Sequence, residues 1–201
     1  FLSAALPEKC IAQLGPIRNT GRILIVGIGK AAIPYCQQLQ RKVRSDYSGI
    51  IITTPTKKFP TDLDAFRIFY GNHPTPDKNG LFATEYLIEE VKKLTSNDLL
   101  LFLVSGGGSA LLPSPPIGFK LKDEIILNKI LLSCGAPIQV MNLIRKHFSR
   151  VKGGRLARLA YPAKVRTLVV SDIPHDDSSQ VASGPTLATP GSVQDALDVI
   201  K

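Results

Sequence analysis

The chain contains 201 residues, of which 44% are hydrophobic and 20% are charged, a composition that indicates a globular protein with one substantial core. No apolar run reaches the roughly 18 residues of a membrane-spanning helix, and the first residues lack the basic flank of a signal peptide, so we expect a cytoplasmic protein with no membrane partner. The formal net charge of +9 suits a small anion such as a nucleotide or a carboxylate. Nucleic acid is not an expected partner, because the basic residues are mostly dispersed and no helix-turn-helix or zinc-finger spacing occurs.

Short apolar runs alternate with helical patterns along the chain, and this alternation predicts a mostly parallel α/β sheet. The predicted strands cover residues 21–26, 49–54, 66–70, 99–104 and 165–170. The predicted helices cover residues 30–43, 79–94, 121–134 and 141–160, the last interrupted at Gly153-Gly154, and a further helix begins at Ser192. Since ligands of open α/β sheets bind beyond the carboxyl ends of the strands, the loops that follow the strands are the candidate sites.

The loop after the first strand reads Gly27-Ile28-Gly29-Lys30 and formally matches a dinucleotide-binding fingerprint. The acidic residue that the fingerprint requires about 20 residues later is missing, because the second strand ends in Thr53-Thr54-Pro55. A lysine at the start of a helix faces an already positive helix end, so an anionic ligand beside Lys30 would compensate. A solvated lysine at a helix end is the alternative.

The loop after the fourth strand, Ser105-Gly106-Gly107-Gly108-Ser109, contains three consecutive glycines. Each glycine weakens a regular element by roughly 0.5–1 kcal/mol relative to alanine, and a tight turn needs only one or two. Three glycines therefore predict that backbone N–H groups approach an anion closely, as in phosphate-binding nests. A serine hydrolase elbow is not predicted, since the Gly-x-Ser-x-Gly pattern is incomplete.

The loop after the last strand carries Asp172, Asp176 and Asp177 within six residues. Carboxylates this close repel one another unless a cation lies between them, and hard oxygen ligands suit Mg²⁺. His175 stands among them, but an exposed loop histidine is the favoured interpretation because no second histidine is near.

Two other segments contain candidate ligand-binding side chains. His73 lies in a turn constrained by prolines, which is typical of loops that hold a polar group in place. Asn142, Arg145, Lys146 and Lys152 belong to a basic segment that would suit an anion such as a carboxylate. A solvated basic helix face is the alternative interpretation.

Taken together, these segments resemble the N-terminal domain of glycerate 2-kinases of the MOFRL type. The resemblance covers about residues 21–190 and rests on five motifs in family order: Val26-Gly27-Ile28-Gly29-Lys30-Ala31-Ala32, Gly71-Asn72-His73-Pro74-Thr75-Pro76-Asp77, Ser105-Gly106-Gly107-Gly108-Ser109-Ala110-Leu111, Asn142 through Lys152-Gly153-Gly154-Arg155, and Ser171-Asp172 through Ser183-Gly184-Pro185-Thr186. Phe1 is not a translation start, so we expect residues 1–201 to be the N-terminal α/β domain of a longer protein.

The resemblance implies a doubly wound, Rossmann-like α/β fold with helices on both faces of the sheet, and ATP- and Mg²⁺-dependent phosphorylation of the 2-hydroxyl of D-glycerate. It also implies a second, C-terminal MOFRL domain that closes over the cleft and that this chain lacks, so the isolated domain is expected to be weak or inactive. Glycine is usual in the family where His175 stands, so no catalytic role is expected for His175.

The predicted roles follow the general logic of phosphoryl transfer, which is mostly positioning and charge neutralisation. Lys30 and Asp172 are the predicted catalytic residues. The predicted phosphate-binding residues of ATP are Ser105, Gly106, Gly107, Gly108 and Ser109. The predicted substrate-binding residues are His73, Asn142, Arg145, Lys146 and Lys152, and the predicted Mg²⁺ ligands are Asp172, Asp176 and Asp177.

Two other functional classes remain open from the sequence. A non-catalytic module that binds a phosphosugar or a nucleotide would use the same glycine loops. A dinucleotide-dependent oxidoreductase is disfavoured by the missing acid after Ile52.

Overall fold

A computed structural model describes residues 6–57, 60–171, 177–188 and 191–200. Its strands are β1 (Ile23–Ile28), β2 (Tyr47–Thr53), β3 (Phe66–Tyr70), β4 (Leu99–Val104) and β5 (Lys164–Val169). Its α-helices are α1 (Pro7–Ala12), α2 (Ala32–Gln40), α3 (Lys78–Lys92), α4 (Gly108–Leu111), α5 (Leu121–Ser133), α6 (Ile138–His147), α7 (Arg155–Ala160) and α8 (Val193–Ile200), with a 3₁₀ turn at Val181–Ser183.

All five strands run parallel in one sheet with the order β3-β2-β1-β4-β5. The predicted bounds of β3 and β4 are confirmed, because each is a short apolar run between turn residues. β1 continues through Gly27, which pairs with Ile51 of β2 and Leu103 of β4 instead of opening the loop. The fold is the predicted parallel α/β sheet.

Successive residues of the central strands bury their side chains on opposite faces of the sheet. On one face, β-strand residues such as Val26 and Phe102 pack with Leu87 of α3 and Leu156 of α7. On the other face, residues such as Ile25 and Leu101 pack with residues of α1 and α2. Helices therefore cover both faces, and the doubly wound, Rossmann-like fold is confirmed.

Two predicted helices are shorter in the structure, each for a local reason. α2 ends at Gln40 because Val43 forms a parallel bridge with Ile17, which requires extended backbone. The predicted helix over residues 141–160 is two helices, α6 and α7. Gly153 and Gly154 between them adopt φ values of +62° and +80°, which a continuing helix cannot accommodate.

The strand order places β1 beside β4, and this is the point at which the chain changes its winding direction across the sheet. The loops that follow β1 and β4 consequently meet at the carboxyl edge of the sheet, where ligands of such folds bind. Within the described ranges, no helix is both long and apolar enough to cross a lipid bilayer.

Candidate functional site

The loop after β1 is tied to the loop after β4 by backbone and side-chain hydrogen bonds. Lys30 N donates to Gly106 O at 3.0 Å, and Ala31 N donates to the Oγ of Ser105 at 3.2 Å. Gly29 adopts a φ of +113°, and a Cβ there would lie 2.6 Å from the Ser105 carbonyl oxygen, so only glycine fits. The amides of Lys30 and Ala31, just before α2, are therefore occupied by protein, and the buried side chain of Ser105 links the two loops.

The loop after β4 presents a run of unoccupied amides. Within the described part of the chain, the N–H groups of Gly106, Gly107, Gly108 and Ser109 donate no hydrogen bond. Consecutive N–H groups of this kind attract an anion. A Cβ on Gly107 would lie 3.2 Å from Cε of Lys30 and 3.2 Å from Cδ2 of His73, so both side chains border the loop.

A cleft of about 280 Å³ opens beside this loop, although Gly108 itself is buried and does not line it. Six residues predicted to bind phosphate or substrate line it together, although they come from three separate motifs: His73, Gly106, Gly107, Ser109, Asn142 and Arg145. Lys30 reaches its border through contact with Gly107. The structure thus brings most of the predicted phosphate- and substrate-binding residues to one place.

Arg145 of α6 faces the cleft in a fixed orientation. Its Nε donates to the Oδ1 of Asn128 at 2.7 Å, and its guanidinium is half-buried. Burial lowers the pKa of Arg145, and the nearby Glu124 opposes that shift. An anion that accepts from the remaining N–H groups would offset the loss of hydration. Sequence reasoning missed Asn128, because a single asparagine inside a helix carries no pattern that distinguishes it.

Lys146 follows Arg145 in the chain but does not line the cleft. Its side chain is buried, and burial lowers its pKa, while the charge of Asp177 raises it. Any Lys146 contact with a ligand therefore requires that the ligand reach a largely enclosed ammonium group.

Replacing Lys146 with methionine is expected to stabilise the folded state at neutral pH. The folded protein binds the lysine proton less tightly than the unfolded chain does, because the pKa is lowered on folding. The free-energy cost of folding with Lys146 charged is therefore fully present at neutral pH, and it disappears as pH rises towards the unfolded pKa of about 10.4. Urea unfolding of both proteins at pH 7 and pH 10 checks this: the advantage of Lys146→Met should shrink with pH. An advantage that grows with pH would contradict the assignment.

Lys152 was predicted to bind the substrate, but its side chain is buried and does not line the cleft. It is 1% exposed, and its Nζ donates to the Oε1 of Glu124 at 3.0 Å and to the Leu112 carbonyl oxygen at 3.1 Å. The other carboxylate oxygen of Glu124 accepts from the backbone of Ser114. The predicted substrate contact of Lys152 therefore finds no support in the structure: its ammonium group is committed to a buried ion pair that fastens α5 to the segment after α4.

Asn142 ties α6 to the turn at residues 181–183, and this turn contacts the glycine loop. Its Nδ2 donates to the Oε1 of Gln180 at 2.8 Å, and its Oδ1 accepts from the Oγ of Ser183 at 3.0 Å. The Oγ of Ser183 also lies 3.0 Å from the Oγ of Ser109. Ala182 and Ser183 adopt positive φ values of 52° and 60°, a conformation that costs energy for residues with a Cβ. This backbone conformation places the hydrogen-bonded polar groups at the edge of the cleft.

The predicted metal ligands fall mostly outside the described residues. Asp172 and Asp176 lie there, as does His175. Asp177 is described, and its carboxylate accepts from the backbone and the hydroxyl of Ser179. These bonds lower the pKa of Asp177, with Lys146 contributing to the same shift. Among the residues that the structure describes, no three His, Cys, Asp or Glu side chains are grouped to hold a metal ion.

The fold and cleft define a doubly wound α/β protein with an amide-lined cleft at the switch point of its sheet. The chain belongs to the family described as "Domain of unknown function (DUF4147)", which matches residues 2–201. It is 42% identical, over 90% of its length and 46% of the relative, to an Agrobacterium vitis protein named "Putative hydroxypyruvate reductase". It is 37% identical, over its whole length and 48% of the relative, to the D-glycerate 2-kinase of Thermotoga maritima.

A solved structure extends the same comparison. The crystal structure of a glycerate kinase from Thermotoga maritima superposes with a TM-score of 0.85 at 36% identity, covering 99% of this chain and 48% of the other. The chain thus spans about half the length of the curated relatives it matches. The names of these relatives point to two activities, phosphorylation of glycerate and reduction of hydroxypyruvate.

Proposed function

We propose that this chain forms the phosphate- and substrate-binding half of a glycerate 2-kinase, which transfers a phosphoryl group from ATP to the 2-hydroxyl of D-glycerate. The observation that carries the proposal is the run of unoccupied amides from Gly106 to Ser109, bordered by Lys30 and facing Arg145 across one cleft. Phosphoryl transfer needs such an arrangement, because its catalysis consists of positioning and charge neutralisation.

Each side chain has a proposed task that follows from its place. The amides of Gly106, Gly107 and Gly108 bind phosphate oxygens of ATP. Lys30 neutralises charge on the group in transfer, since its stem packs against Gly107. Arg145 binds the carboxylate of glycerate through the N–H groups that Asn128 leaves available. His73, at the border of the same loop, orients the substrate.

A magnesium ion would be held by Asp172, Asp176 and Asp177. Of these, the described Asp177 has the donor chemistry that Mg²⁺ prefers and a carboxylate that is exposed and ionised. When bound, the ion would supply positive charge that neutralises the phosphates during transfer. The half of the relatives that this chain does not match is proposed to supply the second wall of the cleft, so the isolated chain is expected to be weakly active. A cytoplasmic location stays a prediction.

The rival function is a nicotinamide-dependent reductase, which the name of the Agrobacterium vitis relative suggests. In dinucleotide-binding folds the pyrophosphate lies on the amides at the start of the helix after β1. Here Lys30 N and Ala31 N already donate to Gly106 O and the Ser105 hydroxyl. β2 also ends in Thr53 without the acid that binds the ribose. Both observations favour the kinase.

The two functions are separated by one pair of assays on the complete natural protein. ADP formation is measured with D-glycerate and Mg-ATP, and NADH or NADPH oxidation is measured with hydroxypyruvate. The proposal predicts ADP formation that requires glycerate and no nicotinamide oxidation. Nicotinamide oxidation without ADP formation would establish the reductase instead.

Arg145→Met is expected to raise KM for D-glycerate by about 10- to 100-fold, the effect of losing a hydrogen bond to a charged group. The KM for ATP should change little, because the proposed nucleotide contacts lie on the glycine loop. Steady-state kinetics with each substrate varied in turn measures both constants. Asn128→Ala should shift KM for glycerate in the same direction but less, since it only orients the guanidinium. If Arg145→Met changed only KM for ATP, Arg145 would be assigned to the nucleotide and not to glycerate.

A further inference from the structure

We propose that the hydroxyl of Ser109 accepts a hydrogen bond from the 2-hydroxyl of the bound acid, and that the cleft thereby selects 2-hydroxy acids over 2-oxo acids. This inference rests on the proposed function and adds how its acceptor substrate is recognised. It comes from the direction of the hydrogen bonds that link Ser109 to the turn at residues 181–183.

The orientation of the Asn142 amide sets this direction. Its Nδ2 lies 3.4 Å from the backbone carbonyl oxygen of Gln180, a group that can only accept, as well as 2.8 Å from the Gln180 Oε1. The amide nitrogen must therefore face Gln180, which leaves Oδ1 of Asn142 facing Ser183 at 3.0 Å. An amide oxygen can only accept, so the Ser183 hydroxyl donates its single hydrogen to Asn142.

The direction of the Ser183 hydrogen bond also sets the role of Ser109. The two serine hydroxyls are 3.0 Å apart, and Ser183 has no hydrogen left to give. Ser109 must therefore donate to Ser183, and this bond uses the one hydrogen that its hydroxyl has. Ser183 is fully buried, whereas Ser109 is partly exposed and lines the cleft. Ser109 thus presents only oxygen lone pairs to a ligand.

An acceptor at this position distinguishes ligands by the hydrogen they offer. A hydroxyl on the ligand can donate to Ser109, whereas a carbonyl or phosphate oxygen would face lone pair against lone pair. The hydroxyl of Ser109 consequently suits an alcohol better than an ATP phosphate, and only its N–H remains for the anion. Because Ser109 directly follows the proposed phosphate-binding amides, the ligand hydroxyl beside it is the one next to the transferring group, the 2-hydroxyl.

The test is the ratio of the dissociation constants for hydroxypyruvate and D-glycerate, measured by isothermal titration calorimetry on the complete natural protein without nucleotide. The unaltered protein should favour D-glycerate. Ser183→Ala keeps the Cβ but frees the hydrogen of Ser109 to donate to a carbonyl, so the ratio should fall by about tenfold, the worth of one hydrogen bond. Ser109→Ala should also lower it, by removing the acceptor.

Ser114→Ala is the matched control. The Ser114 hydroxyl is buried, makes no hydrogen bond within the described residues and does not line the cleft. Ser114→Ala should leave the ratio unchanged. A fall in the ratio in the Ser183 and Ser109 variants could then not be attributed to the loss of a serine hydroxyl in general. Circular dichroism of the variants verifies that each is folded.

The outcomes separate this inference from the proposed function. An unchanged ratio in both folded variants, or equal affinity of the unaltered protein for the two acids, overturns it. Phosphorylation of glycerate together with an unchanged ratio overturns this inference alone. A ratio that falls in both variants, in a protein that transfers no phosphoryl group, contradicts the proposed function and supports the serine acceptor.

Discussion

Replacing Lys30 with alanine is expected to lower kcat for ATP-dependent glycerate phosphorylation by about 100- to 1000-fold, the loss typical of removing one group that stabilises transition-state charge. Lys30 is exposed at the carboxyl edge of the sheet, and its stem packs against Gly107 beside the unoccupied amides. The effect should appear in kcat more than in KM, because the charge matters most when the phosphoryl group is in transfer. ADP formation at saturating substrates measures it.

The control for this variant removes an equal charge far from the cleft. Lys92 on α3 pairs with Glu89 at 2.9 Å, and both side chains are at least half exposed. Lys92→Ala should leave kcat within about twofold, because surface pairs contribute little. If Lys30→Ala were equally harmless, lysine would have no part in the chemistry, and the anion would have to be neutralised by Arg145 and the backbone alone.

Replacing Lys152 with methionine is expected to cost about 3–5 kcal/mol in the free energy of unfolding, since it leaves the buried carboxylate of Glu124 without its cation. Both side chains of the pair are almost inaccessible, at 2% and 4% exposure. The loss is expected to loosen α5, which Glu124 fastens to the backbone of Ser114. Urea unfolding followed by circular dichroism measures the change.

A second variant tests whether the uncompensated charge is the cause. Combining Lys152→Met with Glu124→Gln removes both charges and keeps an acceptor for the Ser114 amide, so most of the lost stability should return. Lys92→Ala, which breaks an exposed pair, should cost less than about 1 kcal/mol. Equal losses from the buried and the exposed pair would show that Lys152 has no special structural role.

The sheet could be predicted because its strands are unambiguous. Leu99–Val104 is apolar at every position and buried throughout, and its bounds match the prediction. The end of α2 could not be predicted, since it depends on the bridge between Ile17 and Val43. The sequence gives no local sign of a pairing between residues so far apart.

Site residues could be predicted where the end of a strand fixes their position. They could not be predicted where contacts between distant segments determine the direction of the side chain. Gly106 and Gly107 lie in the cleft because they directly follow β4. The side chains of the basic segment, in contrast, point to different parts of the structure. Arg145 faces the cleft, and Lys152 turns into the core towards Glu124. Charge alone cannot distinguish a lysine that binds a ligand from one that is paired within the protein, as Lys152 is with Glu124, 28 residues earlier in the chain.

The position of the phosphate in the product shows whether this cleft directs a phosphoryl group to the 2-hydroxyl of glycerate. The complete natural protein is incubated with D-glycerate and Mg-ATP, and the product is examined by ³¹P and ¹H NMR. We predict phosphorus coupling to the single proton on C2, the signature of 2-phosphoglycerate. Coupling to the two protons on C3, or no phosphorylated acid at all, would rule out transfer to the 2-hydroxyl.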